Sequence, residues 1–228
     1  VKDRHYSRED QDAYAVSSYR KANSAKKANI FKDEIIPIEV KIKNEKMLIS
    51  DDEEPSRVQY DKISKLKPAF VQNGTITAAN ASKLNDGASV VLIMSYSKAQ
   101  ELGLEPLAFV VEHVSCAHEP EWFTTAPRKA IQRVLRKSKM KHTDIDLWEI
   151  NEAFSVVAMA AIDDLKIPPS KVNIYGGAVA LGHPIGASGA RILTTLIHGM
   201  RRASLNLGLA SLCIGGGEAS AIIVKRYD

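Results

Sequence analysis

The sequence predicts an α/β fold: a mixed five-stranded sheet flanked by helices in the C-terminal half of the chain. Three observations carry that expectation. From about residue 107, short runs rich in Val, Ile, Leu and Ala alternate with apolar stripes at helical spacing. Several runs end in Pro or Gly, as at Ile167-Pro168-Pro169 and Gly215-Gly216-Gly217. The chain's 228 residues, 45% of them hydrophobic, supply a sizeable core without disulfide staples.

Residues 1–72 are polar and charged and read as an insertion or flap. Ser7-Arg8-Glu9-Asp10 is a capping-box pattern opening a helix to about Lys26. An alternating run, Ile35 to Ile42, and an acidic cluster, Asp51 to Glu54, follow. From Asn73 to Ser82 the residues turn small, so backbone can approach another segment or a ligand closely. Ser89 to Met94 is short and apolar enough for a buried strand.

In the third zone, residues 97–228, Leu107 to Val114 reads as a strand, and Ile131, Val134 and Leu135 as a helical stripe. Leu147 to Ile150 is a short strand, followed by a second stripe of Phe154, Val157, Ala158, Ala161, Ile162 and Leu165. Val172 to Ile174 reads as a strand; Ile192, Leu193, Leu196, Ile197 and Met200 as a helix; Leu209 to Ile214 and Ala219 to Val224 as the closing strands.

Composition narrows the function. The net charge of +4 permits an anionic ligand without demanding nucleic acid, and the basic run from Arg128 to Lys141 alternates with a buried stripe, as a solvated helix face does. Two distant cysteines, Cys116 and Cys213, make no disulfide framework and point to a reducing compartment. The six histidines show no metal-ligand spacing. No run reaches the roughly 20 apolar residues a membrane helix needs. The chain opens Val1-Lys2-Asp3, and the expectation is of a fragment or processed product.

Three motifs fall where strands end and the chain turns, the place where α/β sheets put ligands. Cys213 precedes three glycines whose bare N–H groups suit an oxyanion hole; a buried structural cysteine fits equally. His183 lies in Gly182-His183-Pro184-Ile185-Gly186-Ala187-Ser188-Gly189, as a proton acceptor near neutral pH or as an ordinary loop histidine. The spacing matches neither a Walker loop nor a dinucleotide fingerprint. Asn151, in Asn151-Glu152-Ala153-Phe154, orients a water or carbonyl, or simply caps a helix. Together they suit carbon-acid and acyl chemistry.

These three motifs, with the small-residue segment Asn73 to Asp86 and the helix from Ser7 to Tyr14, resemble the thiolase family along the whole chain. Within it the chain is most similar to biosynthetic-type acetoacetyl-CoA thiolases; Asp52 to Arg57 and Glu119 to Pro127 favour the eukaryotic-like members. The resemblance implies a layered αβαβα fold. It implies residues 1–72 as the tail of a CoA-binding and tetramerisation loop domain, 73–96 as the closing segment of an N-terminal core domain, and 97–228 as the C-terminal core domain.

The implied activity is reversible Claisen condensation of two acetyl-CoA to acetoacetyl-CoA and CoA. His183 would be the base that activates a nucleophilic cysteine, and Cys213 the acid/base for the α-carbon proton. Asn151 would hold a water that completes an oxyanion hole with His183, and the Gly215 N–H would serve a second hole. Arg57, Val58, Gln59 and Lys62 match CoA-contacting positions, Ser82 a pantetheine contact, and Tyr14 a cofactor-side position. Tyr14, Ala78, Ala79, Ala81 and Val179 match a potassium site built from backbone carbonyls.

A homotetramer in the mitochondrial matrix or cytosol is implied, with no nucleic-acid or membrane partner and no covalent cofactor. Two departures stand out. The family's acyl-accepting cysteine lies in the N-terminal half, and Cys116, in Val114-Ser115-Cys116-Ala117-His118, does not match it. Glu218 stands where a small or apolar residue is commoner; it either raises the Cys213 pKa or points away. The alternatives are a non-catalytic CoA-binding or assembly module and a degradative 3-ketoacyl-CoA thiolase of broader chain length.

Overall fold

Ser7 starts the first helix as its capping pattern predicts. Its hydroxyl accepts from the Asp10 N–H at 3.0 Å, the Asp10 carboxylate accepts from the Ser7 N–H at 2.9 Å, and α1 runs Arg8–Lys27. The computed structural model describes residues 1, 4–43 and 45–227; Lys2, Asp3, Asn44 and Asp228 lie outside it. α1 buries Gln11, Ala15, Ser18, Tyr19, Ala22 and Ala25. Such a small-residue face lets another helix come close.

An antiparallel hairpin follows, β1 (Ile38–Ile42) and β2 (Glu45–Ile49), with Ile38 opposite Ile49. It stands in solvent, with Ile38 and Leu48 exposed. Two short helices come next, α2 (Tyr60–Ile63) and α3 (Tyr96–Glu101).

The C-terminal half then alternates: β3 (Ala108–Ala117), α4 (Ala126–Ser138), β4 (Leu147–Ile150), α5 (Ser155–Leu165), α6 (Ala178–Leu181), α7 (Ser188–Arg202), β5 (Leu207–Ile214) and β6 (Glu218–Arg226). The sheet order is β3-β6-β5-β4, with β4 parallel to β5 and the other pairs antiparallel. One face carries α4 and α5 over a core of Ile131, Val134, Trp148, Ala158, Leu209 and Ile223. The other carries α7, through Ile192, Leu196 and Met200 against Leu147, Ala210 and Val224. α1 packs beyond these on α6, joining Ala15, Tyr19 and Ala22 to Val179 and Ala180. The layered α/β architecture is as expected.

Two local expectations need correction. The expected fifth strand, Val172 to Ile174, is a single parallel bridge between Val172 and Trp148. Asn173 adopts a left-handed φ of 44°, which ends any extension there. Its side-chain amide takes over the pairing: Oδ1 accepts from the Ile150 N–H and Nδ2 donates to the Ile150 carbonyl, both at 2.8 Å. Ser89 to Met94 forms no strand and is not buried, with Val90 89% and Leu92 77% exposed. No strand among the described residues lies beside it.

Candidate active site

The parallel β4–β5 pair builds the site. Ile150 lies opposite Ser211, and the Asn151 N–H donates to the Ser211 carbonyl at 2.9 Å. Asn151 and Cys213 therefore leave adjacent strands at the same end of the sheet. His183 is brought there by the Lys83 carbonyl, which accepts its N–H at 2.8 Å. Its ring Nε2 lies 3.3 Å from Asn151 Nδ2, and its Nδ1 lies 2.6 Å from Ser188 Oγ. Asn151 is 1% exposed, and its Oδ1 has no hydrogen-bond partner among the described residues. The alternative of Asn151 as a helix cap fails: Phe154 is the residue capping α5.

The electrostatics separate the two titrating groups. Burial, and then the Arg191 charge, hold His183 below the usual imidazole range, so it is neutral at neutral pH. Burial pushes the Cys213 thiol up to about 11, so it rests protonated. Glu218 is exposed, and burial is the cause that raises the Cys213 thiol.

Gly215 is exposed with open space around it. Gly217, at φ +91°, admits no side chain, because a Cβ would run into the His118 carbonyl. The loop thus keeps bare backbone beside Cys213.

Glu152 ties the site to the first helix. Its carboxylate, 1% exposed, accepts from Tyr14 Oη at 3.0 Å, Ser18 Oγ at 2.7 Å, Asn173 Nδ2 at 2.9 Å and the Val179 N–H at 3.1 Å. Ala81 bridges Phe154, and the Asn80 carbonyl accepts the Ser155 N–H at 2.8 Å. Tyr14 and Val179 therefore meet at one buried carboxylate, and the segment carrying Ala78, Ala79 and Ala81 runs beside Phe154 and Ser155 just after it.

The CoA-matching positions are placed less uniformly. Ser82 lies against the site, its hydroxyl donating to the Ala153 carbonyl at 2.9 Å. Val58 is half-buried against the α1–α6 core. Arg57, Gln59 and Lys62 are exposed, and Arg57 pairs with Glu53 at 2.8 Å and Glu54 at 3.2 Å. Glu54 also pairs with Lys83, which links this rim to the residue holding His183.

Cys116 and Cys213 both lie opposite Ala219, on either side of β6. Two strand spacings put them about 9–10 Å apart, beyond disulfide reach. Cys116 packs against the α4 core, its thiol 3.9 Å from the Ala126 carbonyl. Among the described residues no cluster of three His, Cys, Asp or Glu side chains could hold a metal, and no helix is long and apolar enough to cross a membrane.

Sequence reasoning missed two residues. Glu152 stands beside Asn151 in the motif, and its four partners come from segments too distant for any local signal. Ser188 was visible, five positions after His183 in the glycine-rich loop, but its contact needed the loop's turn.

The family models for the thiolase N-terminal and C-terminal domains match residues 1–97 and 104–226. An acetyl-CoA acetyltransferase of Yarrowia lipolytica is 49% identical over 221 residues, covering 97% of this chain and 55% of the relative. The Bacillus anthracis acetyl-CoA acetyltransferase crystal structure superposes with a TM-score of 0.96 at 41% identity, over 100% of this chain and 58% of that one. Acat5 thiolase from Ascaris suum, in complex with coenzyme A, gives 0.89 at 45% identity, over the same shares. The chain thus spans little more than half the length of these relatives.

Proposed function

The chain belongs to the thiolase family, and from that premise we propose that it supplies the acid–base half of an acetyl-CoA C-acetyltransferase site. The reaction is the reversible condensation of two acetyl-CoA to acetoacetyl-CoA and free CoA. The observation that carries the proposal is the Asn151–His183 contact of 3.3 Å at the sheet end where Cys213 emerges.

In the thiolysis direction His183, neutral and partly buried, takes the thiol proton of the incoming CoA, or of the acyl-accepting cysteine. The acyl-accepting thiolate bonds to the 3-keto carbon, the carbon–carbon bond breaks, and Cys213, protonated at rest, gives its proton to the α-carbon. In condensation neutral His183 first takes the Cys213 thiol proton, and the resulting thiolate removes the α-proton from acetyl-CoA. The enolate carbon attacks the acyl thioester, the new carbon–carbon bond forms, and the thiolate of the acyl-accepting cysteine leaves. Asn151 holds a water that, with His183, forms the oxyanion hole for the enolate, and Asn151 Oδ1 is a natural seat for that water. The Gly215 N–H serves the acyl thioester oxygen.

The acyl-accepting thiol is neither of the two cysteines here; Cys116 is committed to the core. Arg57, Val58, Gln59 and Lys62 form the rim for the CoA nucleotide, and Ser82 meets the pantetheine. Potassium at Tyr14, Ala78, Ala79, Ala81 and Val179 belongs to the same reading, supported by the contacts of Tyr14 and Val179 with Glu152 and of Ala81 with Phe154. So does assembly as a homotetramer, supported by the exposed apolar residues of the β1–β2 hairpin.

The test uses an assembly that supplies the acyl-accepting thiol. His183→Ala is expected to abolish both directions. Cys213→Ser is expected to abolish condensation while acyl transfer to the nucleophile survives. Equal loss of both half-reactions in Cys213→Ser would overturn its assigned role.

A further inference from the structure

Ser188 is fully buried at the first residue of α7, and its hydroxyl has two neighbours. His183 Nδ1 lies 2.6 Å away, and the Pro184 carbonyl, on the same turn, lies 3.0 Å away. The hydroxyl has one proton to give. If it donates to Pro184, it accepts from His183 Nδ1–H and makes two hydrogen bonds. If it donates to Nδ1, it makes one.

The two arrangements fix opposite tautomers of the same ring. With Nδ1 protonated, Nε2 is bare and accepts from Asn151 Nδ2 at 3.3 Å, leaving Asn151 Oδ1 free. With Nε2 protonated, the ring presents a donor toward the site and has no lone pair there with which to take a proton.

We propose that Ser188 is the positioning residue that holds neutral His183 in the Nδ1–H tautomer and so directs its basic Nε2 into the site. The geometry suits that task. The loop from His183 to Ala187 closes on itself through the Pro184 carbonyl, which also accepts the Ala187 and Ser188 N–H groups, both at 2.8 Å. Ring and hydroxyl are thereby held by one turn. The charges facing the ring are those of Arg191, on α7; burial and that charge together keep the ring neutral, so that a tautomer choice exists.

This inference rests on the reading of His183 as the base, but its test needs no turnover. The probe is the pair of ring-nitrogen signals of His183 in the chain labelled with ¹⁵N-histidine, assigned by their loss in His183→Gln. The expected wild-type spectrum at neutral pH shows a protonated Nδ1 and an unprotonated Nε2. Ser188→Ala is expected to shift the population toward Nε2–H, and Ser188→Thr, which keeps the hydroxyl, to restore it. A wild-type ring protonated at Nε2 would overturn the proposal whether or not any variant folds. So would an unchanged tautomer in a folded Ser188→Ala. The Nδ1–H tautomer alongside undiminished acyl transfer by His183→Ala, in an assembly that supplies the acyl-accepting thiol, would instead overturn the reading of His183 as a base and leave the Ser188 contact standing.

Discussion

Cys213 shows how one residue's surroundings decide its chemistry. Burial raises its pKa to about 11, so the thiol is a proton donor at rest and a poor nucleophile. Alkylation by iodoacetamide is therefore expected to be slow at neutral pH and to climb nearly tenfold per pH unit toward about 11, followed by mass spectrometry of the Cys213 peptide. A plateau near neutrality would contradict the assignment.

Glu149 carries a second residue-scale prediction. It is 1% exposed, and burial pushes its carboxyl from the usual carboxylate range up to about 8. The folded state then binds this proton more tightly than the unfolded state, so the stabilisation is full below pH 4.5 and is lost as pH rises to about 8. Glu34, raised to about 7, adds in the same direction. Thermal midpoints are expected to fall across this window in the wild type and to fall less in Glu149→Gln. At this scale the candidate residues were legible by type and motif: Asn151 follows β4 and Cys213 closes β5, whereas His183, also expected at a strand end, lies in the loop between α6 and α7. Glu152 was not, because its carboxylate is satisfied by four segments that only the folded chain brings together.

Among the elements, the best-read ones carry their own local signals. Ser7 announces α1 through its capping box, and Ser7→Ala is expected to cost about 1 kcal/mol in urea unfolding. α7 depends instead on its apolar stripe. Leu196 is fully buried between helix and sheet, and Leu196→Ala is expected to cost about 2–5 kcal/mol by the same measurement. Where the reading failed, local pattern met long-range geometry. Val172 to Ile174 has strand composition, yet Asn173 replaces the backbone ladder with its own amide. Ser89 to Met94 has the apolarity of a buried strand, but apolarity cannot say what would bury it, and the segment lies open.

For the molecule as a whole, the proposed function turns on how the first helix and the small-residue segment lean on the C-terminal layers. If potassium binds among Tyr14, Ala78, Ala79, Ala81 and Val179, it links these parts. Replacing sodium by potassium at constant ionic strength is then expected to raise the thermal midpoint, and Tyr14→Phe, which removes the Glu152 contact, to weaken the rise. Equal midpoints in both salts would remove potassium from the account.

The central claim is that Asn151, His183 and Cys213 together act on the α-carbon of acetyl-CoA, a step that needs no acyl-accepting cysteine. Its most direct measurement is exchange of the acetyl-CoA methyl protons in deuterated buffer, followed by proton NMR. The account predicts exchange faster than buffer alone with the wild-type chain and a return to the buffer rate in Cys213→Ser. Equal exchange in the wild type and Cys213→Ser would contradict it.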